Sequence, residues 1–290
     1  MKLNLATKDG FAEIDTMGAQ LMSLRDALGT EYLWQGDPRY WAERSPLLFP
    51  MVGRLRGGKT LIGGREYSMG CHGFASAQEF RPVMQSSDSV TLSLRANEQT
   101  LAQYPFDFHL LASYQLADNR LSVSLEVMNL GDVPMPFAIG GHPGFRVPLD
   151  AGDAFENYSV EFEQKETAPC PRVTEEGLID FGDLTPMLRD ENRIPLRHDL
   201  FVPDALVFEN LNSQRVRLVS RLTGRGVELD FTGFRFLGIW STGDAPFAAL
   251  EPWTGCADCI GESGVFQEKR GMTLLPPLES RKYTYRITML

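Results

Sequence analysis

The sequence predicts an all-β fold, a large antiparallel sandwich with an open concave face. Three observations predict it. Apolar and polar residues alternate in run after run, glycine and asparagine punctuate those runs, and helical patterns are scarce.

The clearest strand is RLSVSLEVMN, where Leu121, Val123, Leu125 and Val127 face one way and Ser122, Ser124 and Glu126 the other. Val90, Leu92 and Leu94 repeat the pattern in SVTLSL. Tyr158, Val160 and Phe162 form a third run, and Val227, Leu229 and Phe231 a fourth. The C-terminal YTYRITML alternates through Tyr283, Tyr285, Ile287 and Met289. A period of two puts one side of each strand on a core and leaves the other to solvent, the mark of half-buried antiparallel sheets. Turns are expected at Gly57-Gly58, Gly63-Gly64, Asn119, Asn212, Gly224 and Gly243. The best helical candidates are two short stretches, Leu21 to Leu28 and the residues after Gln267.

Nothing divides the chain. Residues 163–200 are its loosest part, with five prolines and glycines in TAPCPRVTEEGLIDFGDLTP. They read as long connections inside one domain, so residues 1–290 are expected to form a single β-sandwich. All-β units of about 200–250 residues are common, and a hydrophobic content of 43% can fill one large core.

The charge narrows the function. With 38 acidic and 28 basic residues the net charge is −10, which argues against nucleic acid or an anionic membrane as partner. The N-terminal MKLNLATKDGFAEI is interrupted by Lys8 and Asp9 before it reaches the apolar length of a signal peptide. No apolar run approaches the roughly 18 residues of a spanning helix. Four cysteines in a chain this long do not make a disulfide framework. A cytoplasmic location is the expectation.

Few residues can carry chemistry. Of the four histidines, His72 and His142 sit in the glycine-flanked strings CHGFA and GGHPGF, where backbone or ligand can approach the ring closely. Each suits a hydrogen-bonded structural role, but the similar settings point to a shared site. His109 lies in an alternating strand, and His198 in a charged connection that should leave it solvated. Arg54 ends the apolar run of RSPLLFPMVGR, from where it can fork onto a carboxylate, a hydroxyl pair or a phosphate, or form a surface ion pair. Glu251, in PFAALEPWTG, has apolar flanks that suit either an arginine partner or a raised pKa and proton transfer. Trp253 beside it fits a sugar platform or the core, and Asp204 in FVPDALVFEN fits a turn or cap before a strand. Cys256 and Cys259 form a CxxC with too few further ligands at zinc spacing, so no metal is expected.

Taken in order, these strings resemble the aldose 1-epimerase (galactose mutarotase-like) family, most nearly its LacX-like branch. The resemblance runs through GAQLMSL, RSPLLFPMVGRLRGGK, HGFA, YPFDFHLLASYQL, GGHPGF, PDALVFE, TGRGVELDF, LGIWS, ALEPWTG and YTYRITML, essentially the whole chain. It implies a β-supersandwich with a sugar in an open groove, interconversion of the α and β anomers of an aldose, and no cofactor. It also implies roles: Glu251 as base, His142 as acid, and Arg54, His72 and Asp204 binding sugar hydroxyls. Three departures stand out. The family's PGE turn reads PPLE at 276–279, the CxxC is foreign to the pattern, and no second arginine marks a hexose-6-phosphate enzyme, although Arg56 and Lys59 lie near Arg54. A hexose-6-phosphate epimerase and a non-catalytic carbohydrate-binding or regulatory protein are the alternatives. The sequence leaves the sugar and the oligomeric state open.

Overall fold

The structure, a computed structural model, describes residues 1–290. Two large antiparallel sheets dominate it. The larger has nine strands, in the spatial order Glu191–Pro195, Tyr158–Glu166, Arg215–Ser220, Gly226–Asp230, Ser280–Met289, Arg120–Asn129, Phe108–Ala117, Ser89–Arg95 and Arg81–Gln85. The other runs Leu206–Glu209, Phe236–Trp240, Phe247–Trp253, Gly140–Gly141, Leu47–Leu48, and Gly144–Arg146 pairs with Phe247–Trp253. A three-stranded N-terminal sheet, Lys2–Ala6, Gly10–Asp15 and Leu21–Asp26, packs at one side.

The alternation predicts the buried faces. Leu121, Val123, Leu125 and Val127 are fully buried, as are Val90, Leu92 and Leu94 on a neighbouring strand. They join a continuous core of 64 residues that runs from Leu3 to Met289, so both ends of the chain are tied into the same apolar interior. His109 lies on the nine-stranded sheet, its Nε2 2.8 Å from Ser93 Oγ.

Three local expectations are corrected. Leu21–Asp26 is a strand, because pairing Leu21 with Ile14 buries Leu21 and Leu24, whereas Leu28 is 90% exposed and offers a helix no apolar face. The stretch after Gln267 holds only one turn of 3₁₀ helix, Phe266–Glu268. The region 163–200 is mostly strand: Pro169–Val173 and Ile179–Pro186 form a hairpin, and Glu191–Pro195 is the edge of the large sheet. Prolines disguise these strands but are tolerated at a hairpin and a sheet edge, where ladder donors can be spared.

One turn ties several of these elements together. Residues 254–260 leave the strand Phe247–Trp253, and the backbone N–H of Asp258 donates to Arg54 O at 2.9 Å. Ile179 N–H of the hairpin donates to Asp258 O at 3.0 Å, and Ile260 N–H returns a bond to Ile179 O at 2.8 Å. The Asp258 side chain pairs with Lys269 Nζ, both buried, and its Oδ2 accepts from Arg56 N–H at 2.8 Å. Removing one member of a buried ion pair strands the other without water or partner. Lys269→Met is therefore expected to lower unfolding stability by about 3–5 kcal/mol in urea titration, with part of the loss recovered when Asp258→Asn is added. An unchanged unfolding midpoint in the single variant would show that this pair does not hold the turn.

Candidate active site

A cavity of about 450 Å³ opens on the six-stranded sheet. Arg54, His72, His142, Asp204, Glu251 and Trp253 all line it, although they span 200 residues of sequence. Sheet register explains part of this convergence. Glu251 and Trp253 are two apart on one strand and so share a face. Gly238 lies opposite Glu251, and Val207 lies opposite Gly238. Directly paired residues also share a face, so this row forms the cavity floor. The register requires glycine at 238: a Cβ there would meet Trp253 Cζ2 at 2.5 Å, so the indole could not lie flat across the strand.

His142 follows the short strand Gly140–Gly141, which sits beside Trp253. Its Nε2 is 3.2 Å from Glu251 Oε2, and both side chains are almost completely buried. The contact lacks hydrogen-bond alignment. Glu251 Oε2, His142 Nδ1 and Trp253 Nε1 are all buried without a partner. Unmade bonds of this kind cost about 1–3 kcal/mol each in a folded interior, so three gathered at one cavity mark a place built for a ligand.

The electrostatics follow from burial. Glu251 is pushed well above the usual carboxyl range, first by desolvation and then by the charge of Asp204. The N–H of Trp253 works against this, although no bond of ordinary geometry joins the two. His142 is pushed well below the usual imidazole value, by burial first and by His72 second. Burial thus disfavours two separated charges and favours the neutral carboxyl beside the neutral imidazole.

His72 is fixed by its backbone. Its φ of 63° is uncommon for a residue with a side chain, and the string flanking it is held by mutual bonds: His72 N–H to Gly53 O at 2.8 Å, and Gly53 N–H to His72 Nδ1 at 3.1 Å. With Nδ1 accepting, Nε2 carries the proton and can donate into the cavity. Burial and the neighbouring Arg54 guanidinium lower its pKa to about 4, so the ring is neutral at pH 7. Arg54 enters from the same loop, its stem passing over Gly177 of the hairpin. Asp204 is partly exposed at the rim, and its Oδ1 accepts from Ala205 N–H at 2.8 Å, so the turn role and the cavity position coexist.

Some candidates fall outside. His198 is not simply solvated: it stacks on Phe155 with ring centres 3.9 Å apart, because the charged connection folds its ring back onto the core. Cys256 and Cys259 are buried with sulfurs 4.0 Å apart, and no group of three or more His, Cys, Asp or Glu side chains is gathered in a way that could hold a metal. Arg56 and Lys59 face elsewhere: Arg56 donates to the carbonyls of Cys259 and Glu262, and Lys59 pairs with Glu66.

Sequence reasoning missed Trp41, Trp240 and Glu43, which also line the cavity. Trp41 lies in the irregular segment between Trp34 and Leu47, where no periodicity operates. Trp240 was visible only as one residue of LGIWS. Desolvation and a bond from Trp41 act on Glu43 in opposite senses, with the net effect upward.

Comparison with known proteins identifies the family. The family model described as aldose 1-epimerase matches residues 1–288. The chromosomal protein LacX of Lactococcus lactis subsp. lactis is 37% identical over 298 residues, covering 100% of both chains. A galactose mutarotase related enzyme from Lactobacillus acidophilus is 30% identical with a TM-score of 0.94, covering 100% of this chain and 97% of its own. A galactose mutarotase-like protein from Lactobacillus casei ATCC 334 is 31% identical with the same TM-score, each chain fully covered. The strands, the converging side chains and these full-length similarities lead to one conclusion: the chain belongs to the aldose 1-epimerase family.

Proposed function

We propose that this protein interconverts the α and β anomers of a free aldohexose, with Glu251 and His142 exchanging protons with the sugar. The observation that carries this reading is the buried Glu251–His142 pair, 3.2 Å apart, facing a cavity with unsatisfied polar atoms. Anomer exchange needs one proton taken from the anomeric hydroxyl and one given to the ring oxygen. Two adjacent groups, one taking a proton as the other gives one, meet that requirement without net gain or loss.

The proton balance closes over one cycle. With the proton on His142, Glu251 as carboxylate removes the O1 proton, and His142 protonates O5 as the C1–O5 bond breaks. The open-chain aldehyde then faces a neutral Glu251 acid and a neutral His142, the arrangement that burial favours. Rotation about C1–C2 presents the other carbonyl face. His142 takes the O5 proton, O5 attacks C1, and Glu251 returns its proton to O1. Each positioned acid or base contributes about 10²–10⁴-fold. His72 Nε2–H, the Arg54 guanidinium and the Asp204 carboxylate bind hydroxyls, and Trp253 offers an apolar edge to the ring.

The charge of the cavity wall supports an uncharged sugar. Arg54 is its only cation, against the carboxyls of Glu43, Asp204 and Glu251. Arg56 and Lys59, the residues that could have held a phosphate, are bonded elsewhere.

Glu251→Gln keeps the shape and loses the base, so the catalysed exchange is expected to fall by at least about 10²-fold, with sugar affinity largely retained. The measurement is anomer exchange by NMR, with the spontaneous rate subtracted. Near-wild-type turnover would remove Glu251 as the base.

The same variant has a pH signature. A carboxyl whose folded pKa is raised contributes stability that is present below its unfolded value, about 4.3, and is lost as pH rises through the folded one. Glu251→Gln lacks that loss. Its melting temperature is expected to gain on wild type as pH rises above about 5, by up to several degrees at the alkaline end. A constant offset across that range would contradict the raised pKa.

A panel of free and phosphorylated aldoses tests the substrate class. Higher kcat/KM is expected for glucose or galactose than for glucose 6-phosphate, and the reverse order would overturn the uncharged-sugar reading.

A further inference from the structure

The imidazole of His142 has an unusual support. Histidines that handle protons are commonly oriented by a carboxylate or carbonyl bonded to the second ring nitrogen. Here Nδ1 is buried without a hydrogen bond of ordinary geometry, and besides Glu251 only the residue's own backbone acts on the ring as a polar partner. Aromatic rings hold the imidazole instead. Trp41 stacks on it with centres 4.7 Å apart and planes at 30°, and Trp240 meets it edge-on at 5.5 Å and 86°.

Trp41 is itself locked. Its indole packs against Phe247 at 5.5 Å and 27°, and against the edge of Trp240 at 5.5 Å. Its carbonyl accepts from Trp34 Nε1 at 2.8 Å, and Trp34 stacks on the far side of the cluster against Phe247 at 4.9 Å. A glycine makes room for it. A Cβ at Gly144, two residues after His142, would lie 2.8 Å from Trp41 Cζ3. Gly144 has no left-handed backbone to explain it, so its second role in GGHPGF is to let the indole pass.

We propose that Trp41 is the positioning residue of His142: its stacked indole, made possible by Gly144, sets the plane in which Nε2 meets Glu251 and the sugar. The inference rests on the proton-transfer role proposed for His142. An imidazole free to rotate would keep its chemistry but lose alignment, and misplacement on the scale of about 1 Å can cost about 10²-fold in rate. The loss should fall on kcat, because the hydroxyl-binding side chains are untouched.

The test uses four variants with anomer-exchange kinetics and NMR of the histidine ring protons. Trp41→Ala is expected to lower kcat by about 10- to 100-fold with KM within about threefold, while Trp41→Phe, which keeps a ring to stack, recovers most of the loss. Gly144→Ala, at a residue that does not line the cavity, is expected to lower kcat in the same manner by displacing the indole. In wild type the His142 ring protons should be shifted upfield by the indole, and Trp41→Ala should abolish that shift. A rise in KM with kcat unchanged would make Trp41 a sugar platform and overturn the proposal. So would wild-type kcat in folded Trp41→Ala. His142→Asn separates the two readings: full activity there removes His142 from the mechanism, whereas an inactive His142→Asn beside a fully active Trp41→Ala refutes the positioning role alone.

Discussion

The site turns on keeping a carboxyl group in an apolar sheet with no permanent cation beside it. Glu251 is 1% exposed, and its only titratable contact within ion-pair range is a histidine that is itself buried. An arginine at about 3 Å would hold the carboxylate charged and make it a poor proton acceptor. A histidine does not, because its own charge carries the same burial cost. Burial therefore favours the neutral carboxyl beside the neutral imidazole over an ion pair. Arg54, the sole cation on the wall, approaches from a distant part of the sequence through the loop at 53–54 and is available to a ligand.

Keeping such a pair dry demands large flat side chains close to the backbone, and glycine supplies the space. Trp253 lies over Gly238 and Gly140, and Gly141 accommodates the Tyr285 ring from the large sheet, where a Cβ would meet the hydroxyl at 2.6 Å. Each of these glycines sits on or beside the strands of the cavity floor, where ordinary β-propensity would favour a branched residue. The sheet gives up local side-chain packing at these positions, and aromatic rings from other elements restore it. The outcome is a closely packed floor, with aromatic walls around the imidazole.

The turn at 254–260 connects the floor to the rest of the site. It continues the strand that carries Glu251, bonds the backbone of Arg54, and anchors the hairpin over which the Arg54 stem passes. Its buried Asp258–Lys269 pair and its two buried thiols fill the space beneath. Residues from three distant parts of the chain thus share one joint, and their spacing around the cavity depends on a few backbone bonds within it.

What the sequence determined was local. A two-residue period fixes which side of a strand meets the core, because the pleat sends successive side chains to opposite faces, and so the all-β class and the buried faces of the large sheet were readable in advance. The candidate residues were readable as well, since a carboxyl between Leu250 and Pro252 or a histidine between glycines is conspicuous in one dimension. Their convergence was a different matter. It rests on the register that sets Gly238 opposite Glu251 and Gly140 beside Trp253, and register is a property of strand pairs. The strands at 21–26 and 169–186 escaped notice for the same reason: their neighbours, more than their own residues, make them strands. Trp41 shows the limit most clearly. Nothing in its irregular segment marks it, yet the folded chain lays its ring on His142 because Gly144, a hundred residues away, leaves the gap that only the tertiary structure brings beside it.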